Sequence, residues 1–267
     1  MDELGEAKKE VVRIPTYVEN LDQEIQGGIP EGHVTLISGT SGTMKSSLSF
    51  NILFNEVVNG KTAIYLSLEQ SAQSLLKSMI ALGFDMSKIN LLIMSDIAKI
   101  DEAMMKAEET KGALIVSDMG AMRKELKNFK NINPDSDWIN VIKNLVNKIV
   151  DCKHCNLFAL DSLSALYAVS EFKNPRNKLF YFFEFLRDSS VTAYLISEIP
   201  PSSDRYSEYG VEDYLSDAII HLAMARDGRK VRRELNIVKM RSTKCNMDVF
   251  ILDYEKNKFR ALSKIMG

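Results

Sequence analysis

A chain of 267 residues with 45% hydrophobic and 26% charged content has the length and make-up of one globular α/β domain able to bury a full core. Its net charge of −2 and pI near 6.0 give no bulk attraction to nucleic acid or acidic membranes. No apolar run reaches the roughly 18 residues of a bilayer span, and Met1-Asp2-Glu3-Leu4-Gly5-Glu6 has neither part of a signal peptide. Three cysteines do not make a disulfide framework. A cytoplasmic protein without membrane contact is expected.

Taken in order, residues 1–10 are charged and expected to fray. Leu21 to Gly32 reads as a short helix stopped by Gly27-Gly28 and a Pro30-Glu31-Gly32 turn. The apolar run His33 to Ser38 then reads as a strand. It feeds Gly39-Thr40-Ser41-Gly42-Thr43-Met44-Lys45-Ser46-Ser47, and a helix-like stretch follows through Phe54. Strand, glycine-bearing turn, Lys-Ser and helix form a P-loop, because backbone N–H groups in the turn and at the helix start converge on one anion. In that reading Gly39 and Gly42 let the backbone wrap closely, Lys45 reaches the β- and γ-phosphates, and Ser46 is a Mg²⁺ ligand. The position before the lysine, commonly glycine, is Met44. As the residue that opens a helix, it is expected to need no positive φ.

Further along, Thr62 to Ser67 reads as a buried strand delivering Leu68-Glu69-Gln70 at its C-terminal end, where open α/β sheets bind ligands. A helix to about Gly83, a strand Ile89 to Met94, a polar helix Asp101 to Thr110 and a strand Ala113 to Val116 follow. Residues 120–137 read as an exposed polar loop or short helix, before a helix from about Asp137 to Asp151. Cys152-Lys153-His154-Cys155 is a CxxC without a second cysteine pair, and a helix end before a buried strand outweighs a metal or redox site. The segment Asn177 to Arg187 reads as a helix whose aromatics are core or subunit interface. Val191 to Ile196 is a strand ending at Ser197-Glu198, and Pro200 to Tyr206 is a loop. Ala218 to Ala223, Lys230 to Val238, Met247 to Leu252 and Phe259 to Leu262 read as an antiparallel edge turning at Asp227-Gly228.

Two carboxylates complete the constellation. The strand Leu157-Phe158-Ala159-Leu160 ends in Asp161, placed as a Walker B strand places its carboxylate near the Mg²⁺ shell and Ser46. Glu69, on the strand after the P-loop helix, is positioned to deprotonate an attacking water. Arg226, Arg229, Lys230, Arg232 and Arg233 around the Asp227-Gly228 turn read as a solvated hairpin tip, with a nucleic-acid or acidic-partner contact as the alternative.

These residues, with Leu21-Asp22 through Gly32, Asp161-Ser162-Leu163-Ser164 and Val238-Lys239-Met240-Arg241-Ser242-Thr243, resemble the KaiC-like branch of RecA-superfamily ATPases over about residues 11–263. The resemblance implies a RecA-like P-loop core with a mainly parallel sheet, flanking helices and an antiparallel C-terminal edge. It also implies ATP and Mg²⁺ as cofactors, held between subunits of a homo-oligomeric ring, expected to be hexameric. Glu69 stands at the family's catalytic glutamate, whereas Gln70 replaces a second one. Lys239 and Arg241 match the family's Lys-x-Arg, which reaches the γ-phosphate of a neighbouring subunit. Thr243 matches the next position, while the usual histidine is Cys245.

The family's clock protein carries two such domains and a phosphorylated Ser-Thr pair ahead of the aspartate matching Asp217; this chain has Asp213-Tyr214 there, so an autokinase is not expected. RadA-type recombinases resemble the core too, but add an N-terminal helix-hairpin-helix domain for which residues 1–12 leave no room. The leading expectation is a Mg²⁺-dependent ATPase acting as an oligomeric regulator or switch through a further protein partner. An ATP-bound scaffold with little hydrolysis comes second, and a DNA-dependent ATPase is not favoured.

Overall fold

Alternation inside the apolar runs decides the architecture. In Thr62–Ser67 every residue is buried, with Ala63 and Tyr65 entering one core and Ile64 and Leu66 the other. Leu157 and Ala159 likewise oppose Phe158 and Leu160, and Tyr194 and Ile196 oppose Ala193 and Leu195. Strands buried on both faces need helices on both sides of their sheet.

The computed structural model describes residues 11–96, 99–110, 112–118, 138–151, 155–170, 174–201 and 203–263. The charged start, the polar stretch 120–137 and three residues of the CxxC (Cys152, Lys153 and His154) lie outside them. In chain order the elements are β1 (Arg13–Ile14), β2 (Val18–Glu19), β3 (Ile29–Pro30), β4 (Val34–Gly39), α1 (Lys45–Val58), β5 (Thr62–Ser67), α2 (Ala72–Ala81) and β6 (Asn90–Met94). There follow α3 (Ile100–Glu108), β7 (Ala113–Asp118), α4 (Trp138–Asp151), β8 (Cys155–Asp161), α5 (Leu163–Val169), α6 (Pro175–Asp188) and β9 (Thr192–Glu198). The chain continues through α7 (Glu212–Leu215), β10 (Ala218–Asp227), β11 (Lys230–Met240), β12 (Phe250–Glu255) and β13 (Lys258–Ser263).

The described strands of the main sheet run in the order β2-β13-β12-β11-β10-β4-β9-β8-β5-β7-β6. From β10 to β6 all neighbours are parallel, whereas β10 to β13 form an antiparallel edge. This is the mainly parallel, helix-flanked sheet that the sequence predicts. On one face α1 and α2 pack through Leu48, Phe50, Phe54, Leu75 and Met79, with the Phe84 ring edge-on to Phe50 and Phe54 at 5.2 Å. On the other, α3 to α6 pack through residues such as Met104, Ile142, Leu166 and Phe182.

Several local readings change. The helix expected after Leu21 is one 3-10 turn, Asp22–Ile25. The helices α5 and α7 are additional, and both are too short for a periodic apolar stripe to show in sequence. The strand expected from Met247 begins only at Phe250, with Met247 exposed. On α6, Leu179, Phe182, Phe183 and Leu186 are core, while Phe180 and Tyr181 are exposed. Among the described residues no helix is long and apolar enough to cross a membrane.

Candidate functional site

The C-terminal edge of the parallel strands carries the glycine turn. At Gly39, β10 comes so close that a Cβ would lie 2.1 Å from Leu222 O, so glycine alone fits between these strands. After it, Thr43 Oγ1 and Lys45 Nζ both donate to Thr40 O at 2.8 Å. From β11, Arg233 Nε donates to Gly42 O at 3.1 Å. The turn carbonyls are thus taken up by side chains of the chain itself. The leading N–H groups of α1, at Lys45, Ser46 and Ser47, are helix-start donors that suit an anion. Ser41 is exposed at the tip of the turn and Ser47 is buried beneath it.

Met44 departs from the expectation. It sits at φ 72°, ψ 28°, in the left-handed region. The side chain that replaces the usual glycine therefore carries backbone strain, of order 1–2 kcal/mol. It is partly buried against the core beside α1, a contact that offsets the strain. A Met44→Gly chain should be more stable to urea than a Met44→Ala chain by about 1 kcal/mol, since both lose the packing and only glycine removes the strain. Equal urea midpoints for the two variants would show that this backbone conformation costs nothing.

Around Lys45 stand three carboxylates, each on the end of a different strand. Asp161 ends β8, is 1% exposed, and accepts from Tyr65 Oη at 2.6 Å through Oδ2. Its Oδ1 is buried and has no hydrogen-bond partner among the described residues. Burial pushes the Asp161 pKa up to about 6, the nearby Glu69 charge pushes the same way, and Tyr65, Ser46 and Lys45 oppose. Glu69 is exposed in the turn after β5 and accepts from Ser162 Oγ. That turn is braced by Leu68 N donating to Asp161 O at 2.6 Å and by Ser67 Oγ donating to Gln70 O at 2.6 Å. Glu198 ends β9 opposite Gly39. Lys45 is 7% exposed, and burial lowers its pKa against the pull of Glu198, Glu69 and Asp161, in that order.

These side chains suit a small hard cation shared with phosphate. An oxygen-only pair, Ser46 and Asp161, with one Asp161 oxygen buried and unbonded, matches how Mg²⁺ is held, by one or two protein oxygens with the rest of its shell from phosphate and water. No cluster of three or more His, Cys, Asp or Glu side chains that could cage a metal occurs among the described residues. Of the CxxC, Cys155 is described and is buried at the start of β8.

A family model described as "ATPase: KaiC" matches residues 14–260. The chain belongs to the KaiC ATPase family. It is 25% identical over 240 residues to the circadian clock oscillator protein KaiC of Thermostichus vulcanus, a match covering 89% of this chain and 42% of that protein. It is 24% identical over 255 residues to the circadian clock protein KaiC3 of a Synechocystis strain, covering 93% of this chain and 43% of the relative. The chain therefore matches well under half the length of these curated relatives. The crystal structure of a KaiC-like protein from the hyperthermophilic archaeon Pyrococcus horikoshii OT3 superposes with a TM-score of 0.70 at 21% identity, covering 94% of this chain and 99% of that one. That likeness supports the RecA-like KaiC fold.

Within this KaiC-type domain, Gly39 through Ser47, Glu69 and Asp161 come together, but Lys239 and Arg241 do not join them. Arg241 N bonds Asp217 O at 2.9 Å, and Asp217 N bonds Val34 O at 2.8 Å, which sets Arg241 level with the start of β4. Gly39 lies five residues further along that strand, about 17 Å at 3.3 Å per residue. At this opposite edge Lys239 Nζ donates to Ser216 O at 2.6 Å, and burial, then the Arg241 charge, lower its pKa. Sequence reasoning recorded Glu198 only as a strand end. The signal was the same as for Asp161, an apolar strand closing on a carboxylate, but strand order alone shows that β9 adjoins the P-loop strand. Tyr65 carries no sequence signal, Ser162 reads only as part of the family resemblance and Arg233 only as part of a solvated basic hairpin, because each acts through a partner remote in the chain.

Proposed function

We propose that residues 1–267 form one ATP-binding domain of a Mg²⁺-dependent KaiC-type ATPase, which assembles into rings, hexameric by family resemblance, and acts as a regulator or switch for a protein partner. The observation that carries this reading is the position of the two cation-bearing residues at the far end of β4 from the P-loop of the same chain. Lys239 and Arg241 serve a nucleotide only if it is bound by another copy. Hydrolysis then depends on assembly.

In this mechanism the turn from Gly39 to Met44 and the start of α1 cradle the phosphates, and Lys45 neutralises their charge. Ser46 and Asp161 would hold Mg²⁺, which when bound would supply Lewis-acid stabilisation of the phosphate oxygens. Glu69, oriented by Ser162, takes the proton of the attacking water. Arg241 and Lys239 of a neighbouring copy stabilise charge developing on the transferred phosphoryl group. Gln70 supports the second reading, an ATP-ordered scaffold that hydrolyses little, because a carboxamide cannot back up the base.

Phosphate release by the purified chain with Mg-ATP, measured over a dilution series alongside mass by light scattering, separates these readings. Turnover per subunit should fall as the oligomer dissociates and should not respond to single-stranded DNA. An ATP-dependent oligomer without phosphate release would establish the scaffold, and turnover independent of dilution would remove the shared site.

Protonation gives a separate check on the metal assignment. The Asp161 carboxyl holds its proton up to about pH 6, above its unfolded value near 3.9, so charging it costs folding stability as pH rises from about 4 to 6. Metal binding needs the ionised form and must expel that proton. Calorimetry of Mg-ATP binding should show affinity falling below about pH 6, by up to about tenfold per pH unit, with proton release that Asp161→Asn removes. An Mg²⁺ contribution that is flat between pH 5 and 7 would exclude Asp161 as the ligand.

A further inference from the structure

We propose that Asp217 is the positioning residue for Arg241, fixing the guanidinium that one copy of the chain delivers to the nucleotide site of the next; the inference rests on the shared-site reading above. Asp217 lies in the link between α7 and β10, with its side chain 7% exposed. One oxygen, Oδ2, accepts from Val34 N at 3.0 Å, which locks the carboxylate to the start of β4. The other, Oδ1, accepts from Arg241 Nη1 at 3.1 Å. The same residue also holds the Arg241 backbone, through Arg241 N donating to Asp217 O. Arg241 is thus pinned at both main chain and side chain by one residue, itself bonded to the strand that leads to the P-loop.

Four further contacts make this a built arrangement. Arg241 Nη2 donates to Tyr214 O at 3.2 Å, setting the plane of the fork. Arg187 Nε stands 3.5 Å from Asp217 Oδ1 and its Nη2 donates to Leu215 O, so α6 braces the carboxylate from behind. Lys239 Nζ donates to Ser216 O, the residue before Asp217. Even so, the Arg241 side chain remains 54% exposed. Of the five donors a guanidinium carries, two are spent on orientation among the described residues. A planar fork held by a fixed carboxylate, with donors left over, is the form in which arginine is pre-organised to meet a phosphoryl oxygen. An unheld arginine would have to freeze its rotamers at each encounter, and a misplacement of about 1 Å costs roughly 100-fold in rate.

The test uses Asp217→Asn in the full chain, since the amide oxygen still accepts from Val34 N while the charge that orients Arg241 is gone. Turnover should fall about 10- to 100-fold, with the KM for ATP unchanged because the P-loop of the variant is intact. Mixing it with Glu69→Gln chains, which carry an intact Asp217 and Arg241, should restore phosphate release at the Asp217→Asn sites. A variant that had merely misfolded would not be restored by mixing.

Arg241→Ala mixed with Glu69→Gln is the control. If that pair is not restored, the shared-site reading itself fails and takes this inference with it. If that pair is restored while the Asp217→Asn mixture is not, Asp217 supports its own subunit's fold and not the delivery of Arg241. Unchanged or raised turnover in Asp217→Asn alone would likewise overturn the assignment.

Discussion

Exchange of Glu69 for glutamine should leave Mg-ATP binding within about twofold of the native chain and lower phosphate release by about 100- to 10,000-fold, the range a positioned general base contributes. The expectation follows from where the side chain stands. Glu69 is exposed and accepts a hydrogen bond from Ser162 Oγ that glutamine can also accept through its amide oxygen. The substitution therefore preserves shape and orientation and removes only the capacity to take a proton. Oligomer mass should be unchanged, because nothing in the P-loop turn is touched. Single-turnover phosphate release, with nucleotide binding followed separately, checks the result. Native turnover in this variant would show that another group, such as Glu198 at the end of the strand beside the P-loop strand, accepts the proton.

Much of this arrangement was legible in the sequence, and the boundary of what was legible has a physical cause. The P-loop, Glu69 and Asp161 are readable because each lies at the junction of a strand with a turn, and strands buried on both faces announce themselves as unbroken apolar runs. The antiparallel edge was readable from alternation and the Asp227-Gly228 turn. The left-handed backbone of Met44 was not. The sequence offers a methionine at a helix start, and only the geometry of Gly42, Thr43 and Lys45 around it requires φ 72°. Glu198 was missed because its importance depends on β9 lying beside β4, a pairing between Gly39 and Glu198 across about 160 residues of chain that no local pattern encodes. Asp217 was noticed only as a family landmark. Its bonds to Val34 and Arg241 join segments that are distant in sequence and meet at an edge away from the motif.

Loss of Lys45 should have the broadest effect of any single substitution. In the Lys45→Ala chain, affinity for Mg-ATP should fall roughly 10- to 100-fold, as expected for removing one charge-assisted hydrogen bond of about 1.5–3 kcal/mol, and turnover should disappear at any practical nucleotide concentration. The lysine is almost fully buried, and its ammonium lies within the pull of Glu198, Glu69 and Asp161 together. Its removal thus deletes a phosphate contact and also leaves three carboxylates facing an anionic ligand. The second effect is diagnostic. If carboxylate repulsion matters, the affinity of Lys45→Ala for metal-free ATP, where no Mg²⁺ ligand is lost on protonation, should recover at high salt or on lowering pH towards the Asp161 titration near 6, whereas a lost contact alone gives no such recovery. Filter-binding or calorimetric titrations with ATP across salt and pH separate the two contributions. Retained affinity in Lys45→Ala would mean that the backbone N–H groups of the turn and of α1 carry the phosphates unaided, and that the lysine acts only once the γ-phosphate begins to leave.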